Sequence, residues 1–395
     1  MRSSRPVGVF TATRAEYGLL RPVLSALEKS QTLVPRLIVS GTHLSERHGS
    51  TLTEIRADGR DPAACVPLPM QDDSAASIAA DMAAALDGAS QAYLALDLDA
   101  VLILGDRTEA LAAAAAAIPL ALPILHLEGG HRTAGAIDDA IRHAVSKLAA
   151  LHFTSAEPYR QRLLQMGEAE DRVFTVGATG VDNLKAFGVS TAAQASAITG
   201  LDLPEGFILA TFHPETLGTT VPGDQVAAFV AGLGRVADRT VLITMPNADA
   251  GSEAIRTALE AFAARAPGRI RLATSLGAKG YAAALTACAA VVGNSSSGMV
   301  EAPAAGVPTV NVGTRQEGRL RSPSVIDCDL TPDAIGDALT RALDPAFRRM
   351  ARAQPPIFGD GNAGQRIVDV LETIDLAGLA RKPFVDRPAD GRLSA

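Results

Sequence analysis

The sequence predicts an α/β protein with two domains, each built on a parallel β-sheet, and the two sheets facing a central cleft. At 395 residues the chain is longer than one compact core usually accommodates. Short, wholly apolar runs alternate along it with longer segments rich in Ala and Leu. This alternation is typical of parallel sheets whose two faces are covered by helices.

The apolar runs form two series, separated by a polar stretch. The candidate strands of the first series are Val7–Thr11, Arg36–Val39, Val101–Leu104, Ile124–Leu127 and His152–Thr154, and those of the second are Ile208–Thr211, Val241–Thr244, Ile270–Ala273, Val291–Val292 and Thr309–Val312. Candidate helices between them include Leu19–Ser30, Ile78–Leu96, Ala140–Leu148 and Ile255–Ala266. The gap between the series lies near Gly180–Lys185. We therefore expect one domain over 1–182 and a second over 183–360.

Composition excludes several classes of protein. Hydrophobic residues make up 47% of the chain, which is enough for substantial cores and argues against disorder. The net charge of -7 argues against a nucleic-acid partner, and 4% aromatic residues without Trp argue against stacking surfaces. The apolar stretch Ala110–Leu125 contains two prolines and is too short for a membrane span, so no membrane partner is expected.

The cellular location predicted is the cytoplasm. The first residues lead directly into the strand-like Val7–Phe10, with no separate apolar segment and cleavage site. The three scattered cysteines suit a reducing compartment and have no metal-binding spacing.

Polar residues follow the predicted strands at the points where ligands bind in open α/β sheets. In the first series they are 12–18, 105–107 and 128–130, and in the second they are 213–216, 247–249 and 293–298. Because strand ends of the same sense meet at one edge of a sheet, these loops predict a polar cleft between the two domains.

Several acids and histidines have both a structural and a functional interpretation. Asp106, three residues before Glu109 and an apolar helix, has the form of a capping box. Glu128 directly ends an apolar strand, where an unpaired acid is costly to bury, which favours a function. Asp138 opens a helix and suits the positive end of its dipole. His126 is interpreted as a core or wall residue, and His213 as either a turn residue or a ligand contact.

The loop Gly293–Gly298 is the more specific signal. Three serines between a strand and a helix present amides and hydroxyls at a helix N-terminus, which suits a diphosphate, although they also suit a simple N-cap. Glu301 is a candidate ligand of a ribose or a solvated helix residue. Positive charge would come from arginines that could equally form surface pairs, namely Arg14, Arg107, Arg315 and Arg319.

Taken together, these residues resemble the UDP-N-acetylglucosamine 2-epimerase family, and more closely its hydrolysing branch in sialic-acid and legionaminic-acid pathways. The matching stretches, in chain order, are Thr13–Gly18, Gly105–Arg107, His126–Gly130, Gly135–Asp139 with Ile141–His143, Phe212–Thr216, Pro246–Asp249, Gly293–Gly298, Val310–Gly313 with Arg315–Gln316 and Gly318–Arg319, and Gly359–Asn362. Four positions depart from the family pattern: Ala12 replaces a frequent Gly, His131 and Thr314 each stand where an acid is usual, and Glu317 stands where Lys is common.

The resemblance implies a GT-B-type fold of two Rossmann-like domains, with a helix over 361–375 crossing back to the first domain and a tail over 376–395. It implies loss of the proton from sugar C2 together with UDP from C1, giving a 2-acetamidoglucal. Hydration of this intermediate yields the free 2-epimer. No cofactor or metal is implied, and the expected partner besides the UDP-sugar is a second copy of the chain, in a homodimer or homotetramer.

The resemblance also assigns the site. Asp106, Glu128 and Asp138 match the family's catalytic carboxylates, and His213 matches its cleft histidine. Ser295, Ser296, Glu301 and Arg315 match its nucleotide-binding positions. The other residues expected to bind nucleotide or substrate are Arg14, Arg107, Asn247, Asp249, Ser297 and Arg319. We expect Asp106 and Glu128 to transfer protons, Asp138 to position or activate water, and His213 to lie near the leaving diphosphate.

Three other functions stay open at this point. A non-hydrolysing 2-epimerase would return the nucleotide to the sugar. The motifs His-Pro-Glu-Thr and Asn-Ser-Ser-Ser-Gly argue against it. A GT-B glycosyltransferase would need an acceptor and no C2 proton exchange. A nucleotide-sugar sensor would have no need of three acids. The expected substrate is either UDP-N,N'-diacetylbacillosamine or UDP-N-acetylglucosamine. The resemblance slightly favours the first.

Overall fold

The computed structural model describes residues 4–46, 51–133, 137–215, 220–246 and 251–386, and they form two parallel sheets. The strands of the first sheet are β1 (Arg5–Thr11), β2 (Leu33–Ser40), β3 (Ala64–Val66), β4 (Ala100–Leu104), β5 (Ile124–Leu127), β6 (Leu151–Thr154) and β7 (Val173–Thr175), in the order β3-β2-β1-β4-β5-β6-β7. Those of the second are β8 (Ile208–Thr211), β9 (Val241–Thr244), β10 (Ile270–Ala273), β11 (Ala290–Gly293), β12 (Thr309–Val312) and β13 (Val325–Cys328), in the order β10-β9-β8-β11-β12-β13.

Helices connect the strands, as parallel pairing requires. Those before β8 are α1 (Arg14–Leu27), α2 (Leu52–Ala57), α3 (Ala75–Leu96), α4 (Thr108–Ala117), α5 (Asp138–Leu148), α6 (Glu157–Gln165), α7 (Thr179–Phe187) and α8 (Ala192–Thr199). Those after β8 are α9 (Pro222–Gly234), α10 (Ser252–Arg265), α11 (Gly277–Ala287), α12 (Glu301–Ala304), α13 (Pro332–Leu343), α14 (Pro345–Arg352) and α15 (Ala363–Thr373).

Each sheet has a point at which the strand order reverses. β1 lies between β2 and β4 in the first sheet, and β8 lies between β9 and β11 in the second. The loops leaving neighbouring strands diverge there and open a crevice at the carboxyl ends. The segments after β1, β4, β8 and β11 therefore meet where a ligand would lie.

The predicted strands all form, and the apolar run that resembled a membrane segment folds as α4 followed by β5. No helix in the described ranges is long and apolar enough to cross a membrane. Helix α1 begins at Arg14 rather than at the expected Leu19. Its N-cap is Thr13, whose hydroxyl accepts from the Glu16 amide while the Glu16 carboxylate accepts from the Thr13 amide.

Helix α15 follows the second sheet in sequence but packs on α1 of the first. Ile367, Val368 and Leu371 are fully buried in the same apolar cluster as the strands of the first sheet. The carboxylate of Asp182 on α7 accepts from the first two amides of α15, at 3.0 and 2.8 Å. We propose a domain division near residue 182, with 361–375 as the returning helix.

Beyond α15 the chain is anchored by a buried carboxylate. Glu168 is 1% exposed and lies 2.6 Å from Lys147 Nζ, 2.7 Å from Lys382 Nζ and 3.0 Å from His152 Nε2. Burial by itself raises the pKa of Glu168, but the hydrogen bonds and charges of these three neighbours outweigh it and hold that pKa at about 2. Lys382 also donates to the Ser146 carbonyl, so this cluster attaches residues 381–386 to α5.

Replacing Glu168 with Gln should lower the free energy of unfolding at pH 7 by about 3 kcal/mol, because two partly buried lysines lose a buried counter-ion. The folded pKa lies below the usual 4.5, so the stabilisation is complete above pH 4.5 and declines as the pH falls towards 2. Urea unfolding of both proteins at pH 7, 5 and 3.5 should show the difference shrinking. The exposed Glu253→Gln should stay within about 0.5 kcal/mol, and a pH-independent loss in Glu168→Gln would contradict the linkage.

Candidate active site

A cavity of about 290 Å³ lies between the two sheets at the carboxyl ends of their strands. Its polar lining from the first half of the chain includes Arg14, Glu16, Asp106, Arg107, Asp138, Arg142 and Asn183. Its polar lining from the second half includes His213, Tyr281, Ser295, Ser296, Ser297, Glu301, Arg315 and Arg319. Both halves of the chain therefore supply charged side chains to one enclosed space.

Asp106, which follows β4, is held by a buried arginine. Arg142 on α5 is 1% exposed; its Nη2 donates to the Asp106 carboxylate and its Nη1 lies 3.3 Å from Asp139 Oδ1. The capping interpretation of Asp106 is wrong, because the N-cap of α4 is Arg107 and no side chain caps that helix. The sequence analysis did not name Arg142 as a site residue. It could have been found from its place in the stretch Ile141–His143, which matches the family.

Asp138 is the first residue of α5 and faces the second half of the chain. Its Oδ2 lies 4.0 Å from Nη2 of Arg315, across the cleft. The neighbouring Asp139 has the more structural task, since its Oδ1 accepts from the Thr133 amide at 2.5 Å. The pair therefore divides into one carboxylate that lines the cavity and one that bonds the Thr133 amide.

Glu128 ends β5 in a left-handed backbone conformation, with φ at 64°. This conformation costs about 1–3 kcal/mol in a residue other than glycine, and such residues concentrate at functional sites. Its side chain is 19% exposed, and its Oε2 lies 2.8 Å from His131 Nε2. Among the described residues, Glu128 is the predicted carboxylate that is absent from the cavity lining.

His213 is fixed by its backbone. Asn294, which is fully buried, accepts from the His213 amide at 2.7 Å and donates to the His213 carbonyl at 2.8 Å. Gln316 in turn donates to the Asn294 carbonyl at 2.8 Å. The His213 backbone is therefore bonded through both its amide and its carbonyl to one buried side chain, and His213 lines the cavity.

The serine loop runs from the end of β11 into a 3₁₀ helix, Ser296–Gly298, and then into α12. Ser295 Oγ accepts from the Ser297 amide at 3.4 Å, and Ser297 Oγ bonds the buried Tyr281 hydroxyl. Glu301 follows at the start of α12. Burial and then the charge of Glu128 raise the pKa of Glu301 to about 7.

The four predicted arginines all line the cavity, and each also has a protein contact. Arg14 Nη1 donates to the Thr274 carbonyl at 2.5 Å, and Arg107 Nε lies 3.4 Å from Glu109 Oε2. Arg315 Nη1 donates to the Asn294 carbonyl at 3.2 Å, and Arg319 Nη1 lies 3.0 Å from His131 Nδ1. The remaining two predicted substrate positions, Asn247 and Asp249, lie outside the described residues.

Two further side chains in this region are buried, those of His126 and Glu16. His126 is a satisfied core residue as expected, with Nε2 at 2.8 Å from the Gly105 carbonyl and Nδ1 at 3.1 Å from Ser146 Oγ. Glu16 lines the cavity and was not predicted to do so. Burial and then the charge of Glu109 raise its pKa to about 7. Within the described ranges, no three His, Cys, Asp or Glu side chains are grouped to hold a metal ion.

Known proteins resemble this chain over almost its whole length. The family model for UDP-N-acetylglucosamine 2-epimerase matches residues 25–372. The hydrolysing UDP-N,N'-diacetylbacillosamine 2-epimerase of Legionella pneumophila is 34% identical over 94% of this chain and 97% of that protein. The hydrolysing GDP/UDP-N,N'-diacetylbacillosamine 2-epimerase of Campylobacter jejuni is 31% identical over 97% of this chain and 100% of that protein.

Solved structures share the fold. The UDP-GlcNAc 2-epimerase of Neisseria meningitidis, bound to UDP-GlcNAc, superposes with a TM-score of 0.78 at 18% identity, over 94% of this chain and 100% of that one. The enzyme of Methanocaldococcus jannaschii, in complex with UDP-GlcNAc and UDP, gives 0.76 at 20% identity, over 93% and 99%. These likenesses confirm the predicted GT-B-type fold. The family model and the two relatives above 30% identity establish that the chain belongs to the UDP-N-acetylglucosamine 2-epimerase family.

Proposed function

We propose that this enzyme is a hydrolysing UDP-sugar 2-epimerase. It converts UDP-N,N'-diacetylbacillosamine or UDP-N-acetylglucosamine, with one water, into UDP and the free 2-epimer. The observation that carries the proposal is the likeness, over almost the full length, to two relatives described as hydrolysing enzymes. The cavity between the two halves of the chain supports it, because carboxylates meet cationic side chains there.

The reaction needs two proton transfers and a stabilised leaving group. The C2–H bond breaks as a base takes its proton, and the C1–O bond breaks as UDP departs with the electron pair, leaving a 2-acetamidoglucal. Water then adds at C1, and C2 receives a proton on the opposite face. Each positioned proton-transfer group contributes roughly 10²–10⁴-fold in such steps.

We propose Asp106 and Glu128 as the proton-transfer groups. Asp106 is supported by its place in the cavity wall and by the cation of Arg142, which favours its charged form. Glu128 is supported by its left-handed backbone and by its contact with His131, whose ring also meets the cavity residue Arg319. Asp138, the first residue of α5, is proposed to position or activate water.

We propose that the second half of the chain binds the UDP. The serine loop, with residues 295–297, would receive the diphosphate through its amides and hydroxyls. His213 and Arg315 would stabilise the charge that develops on the leaving phosphate, and Glu301 would bond the ribose. Arg14, Arg107 and Arg319 would complete the substrate contacts, since all three line the cavity.

Proton NMR in D₂O with each UDP-sugar, in separate tubes and without acceptor, tests the proposal. Release of UDP with a free manno-configured sugar carrying deuterium at C2 is the expected result, and the faster substrate identifies the natural one. Intact nucleotide sugar with exchange at C2 would instead indicate a non-hydrolysing enzyme. Intact sugar without exchange in both tubes would overturn epimerisation.

Replacing Gly180 with Ala should weaken UDP binding about tenfold without lowering stability. Gly180 lies on α7 against Glu301, and a Cβ there would approach Glu301 Cδ to 2.7 Å. The flexible Glu301 side chain would move away, so the ribose contact is lost while the backbone stays in place. Isothermal titration with UDP should place Gly180→Ala near Glu301→Gln. The exposed Gly223→Ala, whose Cβ would meet nothing within 4 Å, should bind like the parent protein.

We further propose a cytoplasmic homodimer or homotetramer with no nucleic-acid or membrane partner. The free cysteines and the net charge of -7 support the location and the absence of a nucleic-acid partner. Helix α3 packs against α4, and the pair carries exposed apolar side chains at Leu86, Leu94 and Ile118, which supports a protein contact.

A further inference from the structure

His131 lies between the proposed proton-transfer groups and the second half of the chain. It is 2% exposed, and its ring stacks on Tyr159 with centroids 3.8 Å apart. Its Nε2 lies 2.8 Å from Glu128 Oε2, and its Nδ1 lies 3.0 Å from Nη1 of Arg319. One buried ring therefore contacts a carboxylate on one side and a guanidinium on the other.

The partners determine which nitrogen carries the proton. A guanidinium can only donate, so Nδ1 of His131 must accept from Arg319 and is unprotonated. The single ring proton is then on Nε2, which bonds Ser155 Oγ at 2.9 Å and also lies 2.8 Å from Glu128 Oε2. Burial lowers the pKa of His131 despite the nearby Glu128, which keeps the ring in this neutral tautomer.

The backbone of His131 reaches the second proposed proton-transfer group. Its carbonyl accepts from Arg142 Nη1 at 3.3 Å, and Arg142 Nη2 donates to Asp106. A second contact crosses the cleft beside the ring, where the Leu320 amide donates to the Tyr159 hydroxyl at 3.1 Å. Movement of the segment 319–320 would therefore reach Glu128 through His131.

We infer that His131 is a positioning residue: Arg319, from the opposite side of the cleft, fixes the ring tautomer whose Nε2–H faces Glu128 and donates to that carboxylate. This inference rests on the proposed function, whose proton transfers it would align. The other charged or titratable groups around the pair are Arg162, which donates to the Gly130 carbonyl, and Tyr159 and Glu301. None of these bridges the two partners as the ring does.

Two amide substitutions separate the two hydrogen bonds. Asn places its amide near the position of Nδ1, so His131→Asn can still accept from Arg319 but cannot donate to Glu128. Gln reaches the position of Nε2, so His131→Gln can still donate to Glu128 but loses the Arg319 contact. We expect His131→Asn to lower kcat about 100-fold, the cost of a misplaced reacting group, and His131→Gln to stay within about fivefold.

The pH profile supplies a readout that a merely structural role would not move. Glu128 loses a donor to its charged form in His131→Asn, so its pKa should rise. The limb of the kcat profile that reports Glu128 should move about one pH unit higher in that variant, and stay in place in His131→Gln. UDP affinity should change less than about threefold in both variants.

His152 provides the matched control, because it is also fully buried and bonded to a glutamate, but at Glu168, away from the cavity. His152→Gln should lower Tm and leave the profile limb in place. An equal loss of kcat in the two His131 variants would overturn this inference and leave the proposed function standing. So would a loss of kcat in His131→Asn that comes with a lower Tm and an unmoved limb of the pH profile. Absence of UDP release and C2 exchange in the parent protein would instead remove the proposed function, and this inference with it.

Discussion

Replacing Asp106 with Asn should reduce turnover about 10²–10⁴-fold while leaving the Kd for UDP within about threefold. The amide keeps the shape of the side chain but can neither take nor return a proton, and the proposed nucleotide contacts are on the other half of the chain. Coupled UDP-release kinetics with calorimetric UDP binding would measure both quantities. Glu128→Gln should behave in the same way.

Asp139→Asn is the matched control for Asp106→Asn. Asp139 also accepts from Arg142, at 3.3 Å, but it does not line the cavity. Its replacement should cost turnover much less, because only the support of the arginine is weakened. Near-normal turnover in both Asp106→Asn and Glu128→Gln would contradict the assignment of the proton-transfer groups.

Replacing Arg142 with Leu should lower both turnover and stability. The variant removes the cation between Asp106 and Asp139 and leaves their carboxylates without their common donor. Breaking a buried ion pair from one side costs about 3–5 kcal/mol, and we expect about 3 kcal/mol here because both carboxylates are partly exposed. Turnover should fall about 100-fold as Asp106 loses its orientation.

Urea unfolding and kinetics of Arg142→Leu should be compared with Arg142→Lys and Arg235→Leu. Lys keeps the charge but cannot donate to both carboxylates as the guanidinium does. Arg142→Lys should therefore recover stability better than turnover. Arg235 pairs with Asp333 at an exposed site, and its loss should cost under about 1 kcal/mol. An Arg142→Leu protein with parental stability would show that the buried cation contributes nothing net to folding.

The sequence predicts all the central strands but, of the four edge strands in the described sheets, only β10. The three unpredicted strands, β3, β7 and β13, each lie at the edge of a sheet and are only partly buried. An edge strand is covered on fewer sides, so it lacks the continuous apolar run that marks a central strand such as β8.

The cavity lining was predictable where a polar residue follows an apolar strand, as at Asp106. It was not predictable where a side chain reaches the cleft from a helix. Arg142 lies on α5 among residues with an ordinary helical pattern, and nothing in that spacing says that its guanidinium is buried beside Asp106. Such pairings depend on how α5 packs against the loop after β4, which periodicity does not encode.

The return of α15 to the first sheet has a consequence for how the protein is made. The strands of the first sheet leave the ribosome early, yet Ile367, Val368 and Leu371 of its apolar cluster are synthesised only after the whole second sheet. Until then the face of α1 that receives them is uncovered, and domains normally fold as units in the order of synthesis. The first domain therefore completes its folding last, so the nascent chain must keep an apolar surface from aggregating while the second domain is still being translated.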